Sequence, residues 1–220
     1  MPKKSYISKK QWKKQWKEYK KNLPHYATIF KPSKLARDFV NLLKKHRLVK
    51  GDILEIGCGN GRDSFFFARQ GFDTTGFDIS PEAIKFCKER QNEFIKNKKA
   101  QIKFLAADAE KLPFRDESFI GAYSVGVLHS TNLKKSLKEL SRVMKKGGLV
   151  MVHLFEKTVF LPSKKVEQNY SAKEIKNILA KFPFKILKFA SNLTRSKPDY
   201  DEKAGFHKHF SVIMSLEKIE

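Results

Sequence analysis

The chain has 220 residues, a formal net charge of +23 and two cysteines, enough length for the core of one domain of comfortable size. Two cysteines supply neither a disulfide framework nor a thiolate zinc site, and no apolar run reaches bilayer-spanning length or follows the basic N-terminus as a leader would. The composition therefore predicts a soluble cytoplasmic protein with no membrane partner, and its diffuse lysine charge leaves two readings open: a polyanion such as RNA as partner, or a generally lysine-rich background.

In chain order, Lys9 to Lys21 is a basic segment in which Trp12, Trp16 and Tyr19 recur at helical spacing and share one face. Three readings stand side by side. The segment can be a terminal helix that docks its aromatics on the core, or a surface on which single-stranded RNA stacks. It can also be a lid that, with Asn22-Leu-Pro-His-Tyr26, covers a cleft through Trp16, Tyr19 and Tyr26. Residues 1–30 are assigned to this N-terminal segment and 31–220 to the domain proper. Ser33 reads as the N-cap of a helix to about His46, with Leu35, Phe39, Leu42 and Leu43 facing inward.

Asp52-Ile-Leu-Glu-Ile-Gly-Cys-Gly-Asn-Gly61 follows, a short apolar run with β-branched residues and then glycine at alternate positions. Ser64 to Arg69 reads as an apolar helix, so Gly57, Gly59 and Gly61 sit at a strand-to-helix turn. Backbone without a Cβ, in front of a helix N-terminus, lets a ligand lie directly on the chain. The dehydrogenase fingerprint would place its third glycine where this chain has Arg62.

Asp73 to Asp78 is the second strand, and Ser80-Pro81 opens a helix whose inner face holds Ala83, Ile84, Cys87, Phe94 and Ile95. Ile102 to Ala106 and Ile120 to Val125 are the third and fourth strands. Asn132 to Lys145 is a helix stopped by Lys-Lys-Gly-Gly, and Leu149 to Phe155 is the fifth strand. This alternation predicts βαβ units and a parallel sheet. Ser171-Ala-Lys-Glu174 is a capping box for a helix to about Lys181. Phe184 to Phe189 and Phe206 to Leu216 then form a strand pair with no helix between them, an antiparallel addition. Asp78 ends the second strand 21 positions after Gly57, where a carboxylate can accept from both hydroxyls of a ribose.

Glu55-x-Gly-x-Gly-x-Gly61 resembles the first motif of the class I S-adenosylmethionine-dependent methyltransferases. Phe104-Leu-Ala-Ala-Asp-Ala-Glu-Lys-Leu-Pro-Phe114 resembles the family segment in which an aspartate and the next N–H read the adenine edge. The resemblance runs over about residues 50 to 155. Asn60-Gly-Arg-Asp-Ser64 and Gly71 to Ser80 are most similar to its small-molecule branch, which includes the type 11, tellurite-resistance-like and thiopurine-like enzymes. It implies an α/β, Rossmann-like fold: seven mostly parallel strands, helices on both faces, the last strand antiparallel. It also implies S-adenosylmethionine as cofactor, bound by Glu55, Gly57, Cys58, Gly59, Asn60, Gly61, Asp78, Ile79, Asp108, Ala109 and Val125. In one departure, Ile120 follows Phe119 where many relatives have aspartate.

Methyl transfer from a sulfonium is an in-line displacement, so a protein base is needed only when the acceptor must lose a proton. Ser124-Val-Gly-Val-Leu-His-Ser130 lies beyond the fourth strand, where ligands of parallel sheets sit, and makes His129 the first candidate for a base or orienting group. His153 and Glu156 are further candidates. His207 and His209 share a face if extended, but without a third ligand they are assigned no metal. The segment is neither the Asn/Asp-Pro-Pro-aromatic motif of base-amine methylation nor a cysteine nucleophile for cytosine. The expected activity is methyl transfer to N, O or S of a small-molecule acceptor. The alternatives are an RNA methyltransferase and a non-catalytic, cofactor-binding partner subunit.

Overall fold

Apolar runs too short for helices and flanked by glycine or aspartate form the strands, and the segments with apolar residues three and four apart form the helices that cover them. The computed structural model describes residues 9–19, 31–94, 100–160, 166–168, 170–196 and 207–220. Helices are α1 (Lys9–Tyr19), α2 (Lys34–Lys45), α3 (Arg62–Arg69), α4 (Pro81–Phe94), α5 (Leu133–Val143) and α6 (Ala172–Leu179). Strands are β1 (Asp52–Ile56), β2 (Asp73–Asp78), β3 (Ile102–Ala106), β4 (Phe119–Val125), β5 (Met144–Phe160), β6 (Val166–Gln168), β7 (Phe184–Ser196) and β8 (His207–Lys218). The sheet runs β3-β2-β1-β4-β5-β8-β7, with the three-residue β6 paired to the far end of β5 as an eighth strand.

β1 to β5 are mutually parallel, and β8 is antiparallel to both of its neighbours. Helices cover both faces. On one, Leu54, Ala122, Val150, Val152, Val212 and Met214 pack against Leu137 and Leu140 of α5 and Ile175 and Leu179 of α6. On the other, Ile53, Tyr123 and Met151 pack against Phe39, Val40 and Leu43 of α2 and Phe67 of α3. Strand order reverses between β1 and β4, so a crevice opens outside their carboxyl ends.

Several element boundaries differ from the sequence expectation. α5 stops at Val143 instead of Lys145, because the fully buried Met144 turns extended and pairs with Phe119. Lys145 to Gly148 then form an irregular stretch turning at Gly147 (φ +75°) before Leu149 rejoins the ladder opposite Gly121. β5 and β7 outrun their apolar segments to Phe160 and Ser196, since both pair with β8, and β8 runs on past Leu216 to Lys218. No helix among the described residues is long and apolar enough to cross a membrane.

Candidate functional site

The glycine turn is built from backbone. Gly57, Gly59 and Gly61 have φ of +72°, +53° and +79°, a region that side chains disfavour. Gly57 and Cys58 both donate to the carbonyl of Phe77 at the end of β2, at 2.8 and 2.9 Å. A side chain on Gly57 would also collide with Val127, whose Cγ2 lies 2.3 Å from the Cβ position. Asn60 Oδ1 accepts the N–H of Arg62 at 3.2 Å and so caps α3, which Gly61 cannot do for want of a side chain. Glu55 stands behind the turn. Its buried carboxyl accepts from Ser64 Oγ, and burial, then the neighbouring Asp63, push its pKa well above the usual carboxylate range. Cys58 is buried beside Cys87, and burial pushes its thiol pKa up, the opposite of what a nucleophile needs.

Asp78 ties the turn to the second strand. One carboxylate oxygen accepts from Gly59 N–H at 3.1 Å and the other from Ser80 N–H at 2.9 Å. Burial raises its pKa, and the N–H groups of Ser80, Gly59 and Ile79 oppose that rise. At the neighbouring tip, after β3, Asp108 Oδ1 accepts from the N–H of Glu110 at 3.0 Å, holding the tight turn that carries Ala109. Half-buried Ile79 and Val125 lie at the carboxyl ends of β2 and β4. The sequence-predicted residues thus gather at the carboxyl tips of β1 to β4, with Glu55 directed behind the turn into the interior.

Beyond the end of β4, His129 is buried in the short 3-10 turn Leu128–Ser130, and its Nδ1 accepts from the N–H of Phe155 at 3.5 Å. His153 lies opposite Val125 in register; its Nδ1 is buried with no hydrogen-bond partner, and burial pushes its pKa down to about 4. Both imidazoles meet the Phe155 ring edge-on, at 5.0 and 5.1 Å. Glu156 is engaged elsewhere, accepting from Ala172 N–H at 3.0 Å and from Ser191 Oγ at 3.3 Å.

α1 lies beside this crevice. Trp16 is buried against Ala83 of α4, and its Cζ2 is 3.7 Å from the Cβ position of Gly59. Trp12 is half-buried; the side chain of Tyr19, and Asn22 to Tyr26 with Tyr26 itself, lie outside the described residues, as do Ile95 and the side chains of His207 and His209. Among the described residues no group of three or more His, Cys, Asp or Glu could hold a metal ion.

Sequence reasoning missed two groups of residues. Asp63 and Tyr123 are buried partners of the predicted cap Ser33, with Asp63 accepting from Ser33 N–H at 2.8 Å and Tyr123 Oη at 3.3 Å. Glu139 and Arg142 grip the segment after Asp108. Their i,i+3 spacing is visible in the sequence, but their targets, 26 to 30 residues away, are not.

The profile of the methyltransferase-domain family matches residues 54–152. An uncharacterised protein of Methanocaldococcus jannaschii is 32% identical over 195 residues, covering 82% of this chain and 88% of that one. The demethylmenaquinone methyltransferase of Renibacterium salmoninarum is 31% identical over 156 residues, 69% of this chain and 62% of its own length. Among solved structures, a SAM-dependent methyltransferase from Methanosarcina mazei superposes with a TM-score of 0.66 at 20% identity, over 86% of this chain and 99% of that one.

Proposed function

The chain belongs to the class I S-adenosylmethionine-dependent methyltransferases, in their type 11 branch, and from that membership we propose that the crevice at the tips of β1 to β4 is its cofactor site and that the methyl acceptor is a small molecule. One observation carries the reading: Asp78 and the glycine turn are a single unit, joined through the Gly59 N–H. The residues suit an adenosyl group. Among the described residues only Trp16 approaches the missing Gly59 side chain within 4 Å, so a ligand that displaces its edge can lie on this backbone. A carboxylate has about four acceptor positions, so Asp78 can hold its two loop bonds and still accept from ribose hydroxyls. Asp108 and the N–H of Ala109 offer the acceptor and donor that an adenine edge requires.

When bound, the cofactor supplies an activated methyl group. The residues of this chain then have three tasks: to grip base and sugar, to hold an acceptor atom in line, and to exclude water. The turn from Gly126 to Ser130 and the end of β5 form the acceptor side. His129 orients the acceptor there or takes its proton where one must leave. The neutral imidazole of His153, pushed down to about pKa 4, leaves that wall uncharged at neutral pH. α1 covers the crevice through Trp16. The demethylmenaquinone methyltransferase, sterol 4-C-methyltransferase and O-methyltransferase relatives together support a small-molecule acceptor.

Calorimetry tests the cofactor site: S-adenosylhomocysteine is expected to bind and NAD is not. Asp78→Ala and Asp108→Ala are each expected to weaken binding by about 1–3 kcal/mol, as when a buried polar group loses its partner. Unchanged affinity in both variants would contradict the placement. A labelled-methyl screen over metabolite pools, thiols and total RNA tests the acceptor; label entering RNA alone would overturn the small-molecule reading.

A further inference from the structure

The turn that carries Asp108 is bonded to both ends of α5. At the start of the helix, Glu110 Oε1 accepts the N–H of Asn132 at 3.1 Å, while the N–H of Glu110 itself donates to Asp108. Toward its end, Glu139 Oε2 accepts the N–H of Leu112 at 2.8 Å. Arg142 donates to the carbonyls of Leu112 and Phe114 at 3.0 and 2.7 Å, and its guanidinium is itself held by Glu139 and Asp116. Both backbone groups of Leu112 are therefore taken by one helix. That helix begins four residues after the buried ring of His129, and its N-cap Asn132 closes the turn from which the acceptor side is built.

We propose that α5 is a splint that sets the acceptor-side turn at 128–132 from the adenine-side turn at 108–112, which makes Glu110, Glu139 and Arg142 positioning residues for methyl transfer. This rests on the reading of Asp108 and Ala109 as the adenine contact. The reaction gives the splint its purpose, because an in-line displacement loses rate steeply when the two partners are misplaced by an ångström. None of the three residues touches the reacting atoms. Each takes backbone groups that must keep a fixed position, Glu110 at one end of the helix and the Glu139–Arg142 pair at the other. Fixing the adenine turn from both ends also links the two sites energetically: what orders one turn orders the other, and the coupling is reciprocal.

Hydrogen–deuterium exchange on the full chain, with and without S-adenosylhomocysteine, tests this. In the wild type the compound is expected to slow exchange in residues 105–114 and also in 126–134. In Glu110→Ala the first protection persists and the second falls about fivefold, the low end of site-to-site coupling. Glu110→Gln, which keeps the accepting oxygen, restores it. Arg142→Lys, which keeps the charge and loses the fork, is expected to reduce protection in both segments. Wild-type protection confined to 105–114, or a Glu110→Ala profile like the wild type, would overturn the splint while leaving cofactor binding intact. No protection anywhere would overturn the adenine reading, and the splint with it.

Discussion

Glu55 shows how much of a motif residue's role is set by direction. Along β1, Leu54 and Ile56 face the α5 side of the sheet, so Glu55 faces the other side with Ile53. There it accepts from Ser64 on α3, in a site whose burial favours the protonated acid. Its spacing from the glycines identified the motif, but a backbone period of two was needed to send the side chain inward. The charge has a stability signature. A carboxyl with its pKa raised in the fold binds more protons folded than unfolded across the interval between the two values. Stability therefore falls as pH rises through that interval, from about 4.3 upward, and stays lower above it. Glu55→Gln keeps an oxygen for Ser64 and removes the titration. The variant is expected to melt higher than the wild type at pH 8 and to lose that advantage near pH 4, in thermal melts across the range. A difference independent of pH would mean that Glu55 is ionised in the folded protein.

At the scale of elements, what was legible was what is local. Ser33 before an apolar period predicted α2, Ser171-Ala-Lys-Glu174 predicted α6, and both caps are present, with the capping box complete. The ends of α5 and β5 were not legible, because the choice between helix and strand at Met144 is made by Phe119 across the sheet. Nor did local sequence reveal that the Ser33 cap is shared. Its Oγ accepts from Ala36 N–H at 3.0 Å and bonds Tyr123 Oη at 2.8 Å, and its N–H reaches the buried Asp63. One residue thus joins α2, α3 and β4 behind the glycine turn. Ser33→Ala removes the cap and withdraws a partner from a buried hydroxyl, so a loss of about 1–2 kcal/mol is expected in urea denaturation, with the slope unchanged. Ser33→Thr, which keeps the hydroxyl, should recover most of it. A loss well under 0.5 kcal/mol would show these bonds to be dispensable, as for an ordinary surface change.

Taken whole, the molecule is a sheet whose order reverses at β1 and β4, with one helix, α1, lying where a ligand in that crevice would be covered. Burying a large apolar side chain contributes about 1.5–3 kcal/mol, and among the described side chains of α1 Trp16 is the buried one. The ion pair of Lys17 with Glu82, at 3.9 Å with an exposed lysine, adds little. If α1 is a lid, it lifts from α4 at a cost well below that of unfolding the sheet, as local openings do. Removing the indole separates a lid from a mere decoration of the core. As a lid, Trp16→Ala frees the cofactor side of the crevice: S-adenosylhomocysteine should dissociate about tenfold faster or more, the equivalent of 1.4 kcal/mol, while the melting temperature moves little, because a lid opens before the sheet unfolds. Deleting residues 1–30 should reproduce the faster release and lower turnover. If Trp16 only buttresses the fold, the order reverses, and the melting temperature falls while stopped-flow release of the compound keeps its wild-type rate. The two rates and two melting curves decide between them, because cover over a ligand acts on its escape and core packing acts on the whole sheet.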